Sequence, residues 1–252
     1  PRFVLDPVRL TEPQAAIDVA LRMVEDGADI LDLGGESTRP GAEPVSAAEE
    51  LQRLLPVIEG LKDCGRPLSI DTRKPEVMRE VLAAGADMIN DIAGFAEAGA
   101  VEAVAASACG LCVMHMKGEP QTMQQAPAYD DVVSEVEEFL LGRVEALTAA
   151  GVSPARIVID PGIGFGKDTR HNLLLLEALD ELVGLGQAIL VGVSRKSLIG
   201  ELTGRPVDRR LAGSLAAALA SVARGARIVR VHDVAETCDA LKVWQAIDQA
   251  GG

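Results

Sequence analysis

The sequence predicts an α/β fold and, within that class, a (β/α)8 barrel of the TIM type, on three observations. Apolar runs of strand length alternate with stretches of helical period. Three of the helix-to-strand joins repeat one another: "EDGADIL", "AAGADMI" and "ARGARIV". Polar residues gather at the C-terminal ends of nearly all the strands, where a barrel brings its side chains to a single mouth. A doubly wound sheet would use only the strand ends beside its switch point.

Seven strand segments follow in order: 28–35 "ADILDLGG", 67–72 "PLSIDT", 87–92 "DMINDI", 110–116 "GLCVMHM", 156–162 "RIVIDPG", 188–194 "AILVGVS" and 227–233 "RIVRVHD". Their hydrophobicity is continuous, as expected of parallel strands buried on both faces. Gly27, Gly85 and Gly225 end the helices before three of them, at a position whose positive φ glycine adopts freely. Thr11 with Gln14 reads as a capping box, and Pro75 opens the helix of "KPEVMREVLAAG". The segment 131–151 carries one apolar stripe and an acidic, solvated face. Segments 34–50 and 115–131 are longer and more polar than simple connections, and read as active-site lids. No low-complexity stretch or Pro/Ser linker divides residues 1–252, so they read as a single barrel domain.

Of the 252 residues, 48% are hydrophobic and 25% charged, which is enough apolar material for an independent core. The net charge of −14 repels nucleic-acid phosphate and anionic lipid, so neither is expected as a partner, and an anionic substrate needs local cations. No apolar run reaches the ~18 residues of a membrane span, and the start lacks the apolar core of a signal peptide; a cytoplasmic protein is expected. Cys109 and Cys112 form a C-x-x-C without a second pair, so all four cysteines read as reduced structural thiols.

Asp71, Asn90, Asp160 and Lys196 stand at four different strand ends. Carboxylate acceptors, an amide of both polarities and an ammonium suit a flat heterocycle with donors on one edge and acceptors on another. Singly, each aspartate could merely cap the next helix. "SRKS" (194–197) places two cations at one strand end, and "RVHD" (230–233) places Arg230 and His232 on one face of the next strand. A guanidinium fork beside an imidazole makes an oxyanion clamp; the alternative is an Arg230–Asp233 pair. "DPGIGFGKD" mimics a phosphate cradle, but Pro161 and Asp168 break the P-loop pattern, and its third glycine arrives one residue early for a dinucleotide fingerprint. It remains a permissive loop led by Asp160 and presenting Phe165.

"GGESTRPGA", "SIDTRKPEV", "MINDI", "VMHMKGEPQTMQ", "DPGIGFGK", "GVSRKS" and "VRVHDV", in this order over residues 28–236, resemble the dihydropteroate synthases, a pterin-binding enzyme family. The resemblance implies a (β/α)8 barrel that joins p-aminobenzoate to 6-hydroxymethyl-7,8-dihydropterin diphosphate and releases diphosphate. It implies that Asp71, Asn90, Ile92, Met114, Asp160, Gly192 and Lys196 form the pterin site, and that Thr38, Arg230 and His232 hold the diphosphate. Thr38, Arg39, Pro40, Phe165 and Ser197 would border p-aminobenzoate, with Asp71, Lys196, Arg230 and His232 as the catalytic set. It further implies Mg2+ as cofactor, sulfonamides as inhibitors, a homodimer and a cytoplasmic location. The family's first strand leads into a loop like "NVTPDSFSDGG", whose asparagine organises Mg2+. "PRFVLDP" matches the segment after that loop, so this strand and its metal-organising residue are expected to be missing from the chain. Three rival readings stay open: a pterin-dependent methyltransferase, which has no diphosphate to hold; a Schiff-base aldolase using Lys196; and a non-catalytic pterin-binding protein.

Overall fold

The computed structural model describes residues 3–4, 12–37 and 43–250. Its strands are β1 (Phe3–Val4), β2 (Leu31–Gly34), β3 (Leu68–Asp71), β4 (Met88–Asp91), β5 (Gly110–Met114), β6 (Ile157–Asp160), β7 (Ala188–Gly192) and β8 (Ile228–Arg230). The helices are α1 (Pro13–Glu25), α2 (Ala47–Leu61), α3 (Pro75–Ala83), α4 (Ala100–Ala105), α5 (Val132–Ala149), α6 (Thr169–Glu177), α7 (Leu179–Val183), α8 (Ser197–Thr203), α9 (Leu211–Ala223) and α10 (Val234–Gln249). All strands are parallel, in the order β1-β8-β7-β6-β5-β4-β3-β2, and β1 lies against β2, so the sheet curls into a (β/α)8 barrel. The seven strands legible in the sequence are β2 to β8. Among the described residues, the first position of the barrel is held by Phe3 and Val4, paired with Val229 and Arg230 of β8. Two residues carry no period to read.

Side-chain alternation divides the strands between two cores. Leu31, Ile70, Ile89, Val113, Ile159, Val191 and Val229 face the helices within the main cluster. Ile30, Met88, Cys112, Leu190 and Ile228 face inward and plug the barrel floor. Cys109 belongs to the outer cluster and Cys112 to the floor, and all four cysteines are free thiols, so the C-x-x-C is two packing residues on opposite sides of the sheet. Burial pushes the Cys112 thiol well above its ordinary pKa. Gly27, Gly85 and Gly225 have φ of +104°, +106° and +101°, as the repeated joins require.

The helix starts are mixed. Pro75 opens α3 and Asp131 caps α5, accepting from the Val133 and Ser134 N–H groups. The expected Thr11–Gln14 box is not the cap of α1: Glu12 holds the N-cap position without a side-chain bond, Gln14 donates to Asp18 at 2.8 Å, and Thr11 lies outside the described residues. A proline at N1 already lacks one of the N–H groups that the first turn leaves without a partner.

One buried ion cluster ties the loop after β2 to its neighbours. Lys74 Nζ donates to Glu36 at 2.7 Å and to Glu50 at 2.6 Å, and Glu50 is fully buried. The other Glu36 oxygen accepts from the Val45 N–H at 2.9 Å, so the two ends of the loop are clasped together. Lys74→Met leaves the Glu50 carboxylate buried without its cation and is expected to cost about 3–5 kcal/mol, measured by denaturant unfolding.

Candidate active site

Register carries the polar residues to one level inside the barrel. Asp71 pairs with Asn90, Met114 with Asp160, and Gly192 with Arg230, each at or near the C-terminal end of its strand. A cavity of about 630 Å3 opens above them, lined among others by Asp71, Phe165, Gly192, Lys196, Ser197, Arg230 and His232. Asn90, Ile92, Met114 and Asp160 do not line it; they are at most 2% exposed and sit behind its wall. Ile92 and Met114 pack against Met123 and Phe165, which do reach it. Thr38, Arg39 and Pro40 lie outside the described residues.

Arg230 is the electrostatic centre. Its Nη1 lies 3.3 Å from Asp32 Oδ2 and 3.7 Å from Asp71 Oδ2, and its Nη2 lies 3.9 Å from Asp160 Oδ2. Burial opposes its charge, but Asp32, Asp160 and Asp71 outweigh that and hold its pKa above the ordinary arginine value. Asp32, 1% exposed, also accepts from Ser69 Oγ at 2.6 Å and from Asn90 Nδ2 at 3.3 Å. Burial raises the Asp32 pKa, against the opposing pull of Arg230 and these donors. Among the described residues Asn90 Oδ1 has no hydrogen-bond partner, although it is buried. Gly192 is small because a Cβ there would lie 3.2 Å from Arg230 Nε.

The loop after β6 has left-handed glycines at Gly162, Gly164 and Gly166. A Cβ on Gly162 would run into the His115 carbonyl, and one on Gly166 into the Lys117 carbonyl. These glycines serve close backbone approach. Asp160 Oδ1 accepts from the Gly162 N–H at 2.8 Å, which fixes the carboxylate. Lys167, 2% exposed, turns its Nζ back onto His115 Nδ1 at 2.8 Å, Phe165 O at 3.0 Å and Gly162 O at 3.1 Å. Burial lowers the Lys167 pKa to about 7. Burial and then the Lys167 charge lower that of His115 to about 3, so its ring is a neutral acceptor. Lys196 Nζ donates to the Ile163 carbonyl and stands 4.8 Å from the centre of the Phe165 ring.

The two cations of "SRKS" part company. Arg195, at φ +57°, swings out to Asp233 as a two-point pair through Nε (3.0 Å) and Nη2, whereas Lys196 lines the cavity. Asp233 is therefore the partner of Arg195 and not of Arg230. Arg230 and His232 share the cavity, as strand alternation requires, and Ser194 Oγ lies 2.9 Å from His232 Nδ1. Asp91, next to Asn90, faces the other way and accepts from the Ala93 and Phe95 N–H groups; burial raises its pKa to about 6.

The pterin binding enzyme family matches residues 3–232. Dihydropteroate synthase of Neisseria meningitidis serogroup B is 52% identical over 240 residues, spanning 93% of this chain and 84% of that protein. The chain belongs to the dihydropteroate synthase family. Solved structures of the family superpose closely. The Burkholderia cenocepacia dihydropteroate synthase complexed with 7,8-dihydropteroate is 51% identical, with TM-score 0.93 over 100% of this chain and 92% of that one. The Yersinia pestis dihydropteroate synthase with a sulfonamide drug is 41% identical, with TM-score 0.95 over 99% and 95%. Sequence reasoning gives Asp32, His115 and Lys167 no role. The signal for Asp32 is a carboxylate inside the apolar run "ADILDLGG", where it aligns with Ser69 one step below Asp71's side chain; nothing local marks Lys167 as buried.

Two outcomes follow from this geometry. The chain has three histidines, and proton NMR should show His115 staying neutral through pH 5. Its folded pKa near 3 lies below the unfolded value of 6.5, so the unfolded chain takes up the proton first and this group drains stability as pH falls through that window. Gly192→Ala presses on Arg230 and should cost about 1–3 kcal/mol of stability by overpacking, measured as a lowered Cm in urea.

Proposed function

We propose that this chain condenses 6-hydroxymethyl-7,8-dihydropterin diphosphate with p-aminobenzoate to give 7,8-dihydropteroate and diphosphate. The observation that carries the reading is the polar layer at and behind the cavity wall: Asn90, whose Oδ1 is unpartnered among the described residues, pairs with Asp71 in the sheet, and Arg230 lies within 3.9 Å of both Asp71 and Asp160. Buried acceptors in a row call for a flat ligand with N–H donors along one edge. In this reading Asp160 and Asn90 take the amino edge of the pterin, Lys196 donates to its opposite edge, and Ile92, Met114 and Gly192 shape the slot.

The carbon–oxygen bond of the hydroxymethyl group breaks, with its electron pair leaving on diphosphate. Positive charge grows on the pterin methylene, where Asp71 stabilises it, while Arg230, His232 and Thr38 receive the anion. The arylamine nitrogen then bonds to the methylene carbon and gives up a proton. No protein nucleophile is needed, and positioning carries much of the rate. Phe165 and Ser197, with Thr38, Arg39 and Pro40, border the arylamine, the place we assign to sulfonamides as well. Among the described residues no three His, Cys, Asp or Glu side chains converge as metal ligands; Asp32, Asp71 and Asp160 surround Arg230 instead. The described residues therefore do not form a Mg2+ cage, and no step is assigned to that ion.

The reading extends to one domain over residues 1–252 and to a cytoplasmic location, in keeping with four free thiols. It also includes a homodimer, for which the apolar groove of Leu173, Leu176, Leu198, Ile199 and Leu202 on α6 and α8 offers a face. The test is dihydropteroate formation by the full chain from the two substrates. Asp71→Ala and Lys196→Ala should each lower kcat/KM by about 10²–10³-fold. No product from the unaltered protein overturns the reading.

A further inference from the structure

Phe165 sits between two glycines of positive φ, Gly164 (+83°) and Gly166 (+61°), with a third at Gly162 (+68°). Glycine populates both signs of φ with ease, so such a loop does not hold its own shape. Something must fix it if the ring is to stand in one place. Several ties come from outside: Tyr129 Oη donates to Gly166 O at 2.8 Å, Gln124 Nε2 to Gly164 O and Lys196 Nζ to Ile163 O, while Asn172 Oδ1 accepts from the Gly164 N–H at 2.7 Å. Tyr129 and Gln124 are on the long loop after β5. A further tie is internal. The Lys167 side chain curls under the loop, and its nitrogen bonds the carbonyls of Gly162 and Phe165, on either side of the turn, and the ring of His115 at the end of β5.

We propose that Lys167 is a positioning residue for the arylamine: its buried nitrogen locks the Gly162–Gly166 turn to β5 and so sets where the Phe165 ring stands. The inference rests on the arylamine role given above to Phe165. Lys167 has no exposed charge to offer a diphosphate, since its donors are spent on the loop itself. Asp160 is tied to the turn through the Gly162 N–H, but its backbone is also held by the sheet, in register with Met114 and accepting from the His115 N–H at 3.0 Å. Phe165 lies in no strand and has no such pairing, so loss of Lys167 should loosen the arylamine side more than the pterin side.

The first measurement is steady-state kinetics of Lys167→Met with both substrates. The KM for p-aminobenzoate should rise about tenfold, the scale of a misplaced binding group, while the KM for the pterin diphosphate stays within about threefold. Phe165→Ala should show the same split, and the double variant little more than either single, because one residue acts through the other. A purely structural lysine would instead lower the melting temperature and the active fraction with both KM values unchanged, which overturns the inference. Lys167→Gln, which keeps one amide donor, serves if the Met variant fails to fold and should show a smaller rise of the same kind. The second measurement needs no activity: amide hydrogen exchange over residues 162–167 should quicken about tenfold or more in either variant, against unchanged rates in β5 and β6. Unquickened exchange overturns the proposal. A chain that makes no dihydropteroate at all but shows the faster exchange refutes the proposed function and leaves the locking role standing.

Discussion

A guanidinium placed inside a barrel is costly unless several carboxylates meet it, and most of the site follows from how Arg230 is met. Asp32, Asp71 and Asp160 arrive from β2, β3 and β6, so the one cation draws together strands that are not its sheet neighbours. The arrangement carries more negative than positive charge, which suits a site where a ligand brings N–H donors and transient positive charge. It also dictates sizes nearby: Gly192 has no side chain because the guanidinium passes over it. The carboxylates are in turn held, Asp32 by Ser69 and Asn90, and Asp160 by the Gly162 N–H. The recognition edge is therefore set before any ligand arrives.

Much of this could be read from residues alone. Continuous apolar runs marked β2 to β8, and the repeated glycine joins fixed their spacing, because a helix that ends on positive φ admits little else. The polar strand ends pointed to a barrel mouth, where Asp71, Asn90, Asp160, Gly192, Lys196 and Arg230 are indeed brought together. What stayed hidden depended on register or on burial. Neighbours such as Asn90 and Asp91 look alike in sequence, yet alternation sends one inward and the other onto its own loop. Arg195 and Lys196 look like one cationic patch until a left-handed φ turns Arg195 away to Asp233.

Lys167 shows the strongest version of this limit. Lysine is among the side chains least expected to be buried, and beside three glycines it suggests an anion site. The fold turns it inward instead. Its hydrogens satisfy carbonyls of the glycine-rich turn, and a neutral His115 completes the set. The glycines themselves answer to close approach by the His115 and Lys117 carbonyls and not to phosphate.

The apolar plug of Ile30, Met88, Cys112, Leu190 and Ile228 has a consequence for access. It makes the barrel a room with one door. The buried Asn90 and Asp160 lie behind that room's wall, while Phe165, Lys196 and Ser197 line its open part. Whatever reaches the strand-end carboxylates has to pass those side chains, and whatever leaves has to pass them again. The floor thus turns the mouth into both entrance and exit.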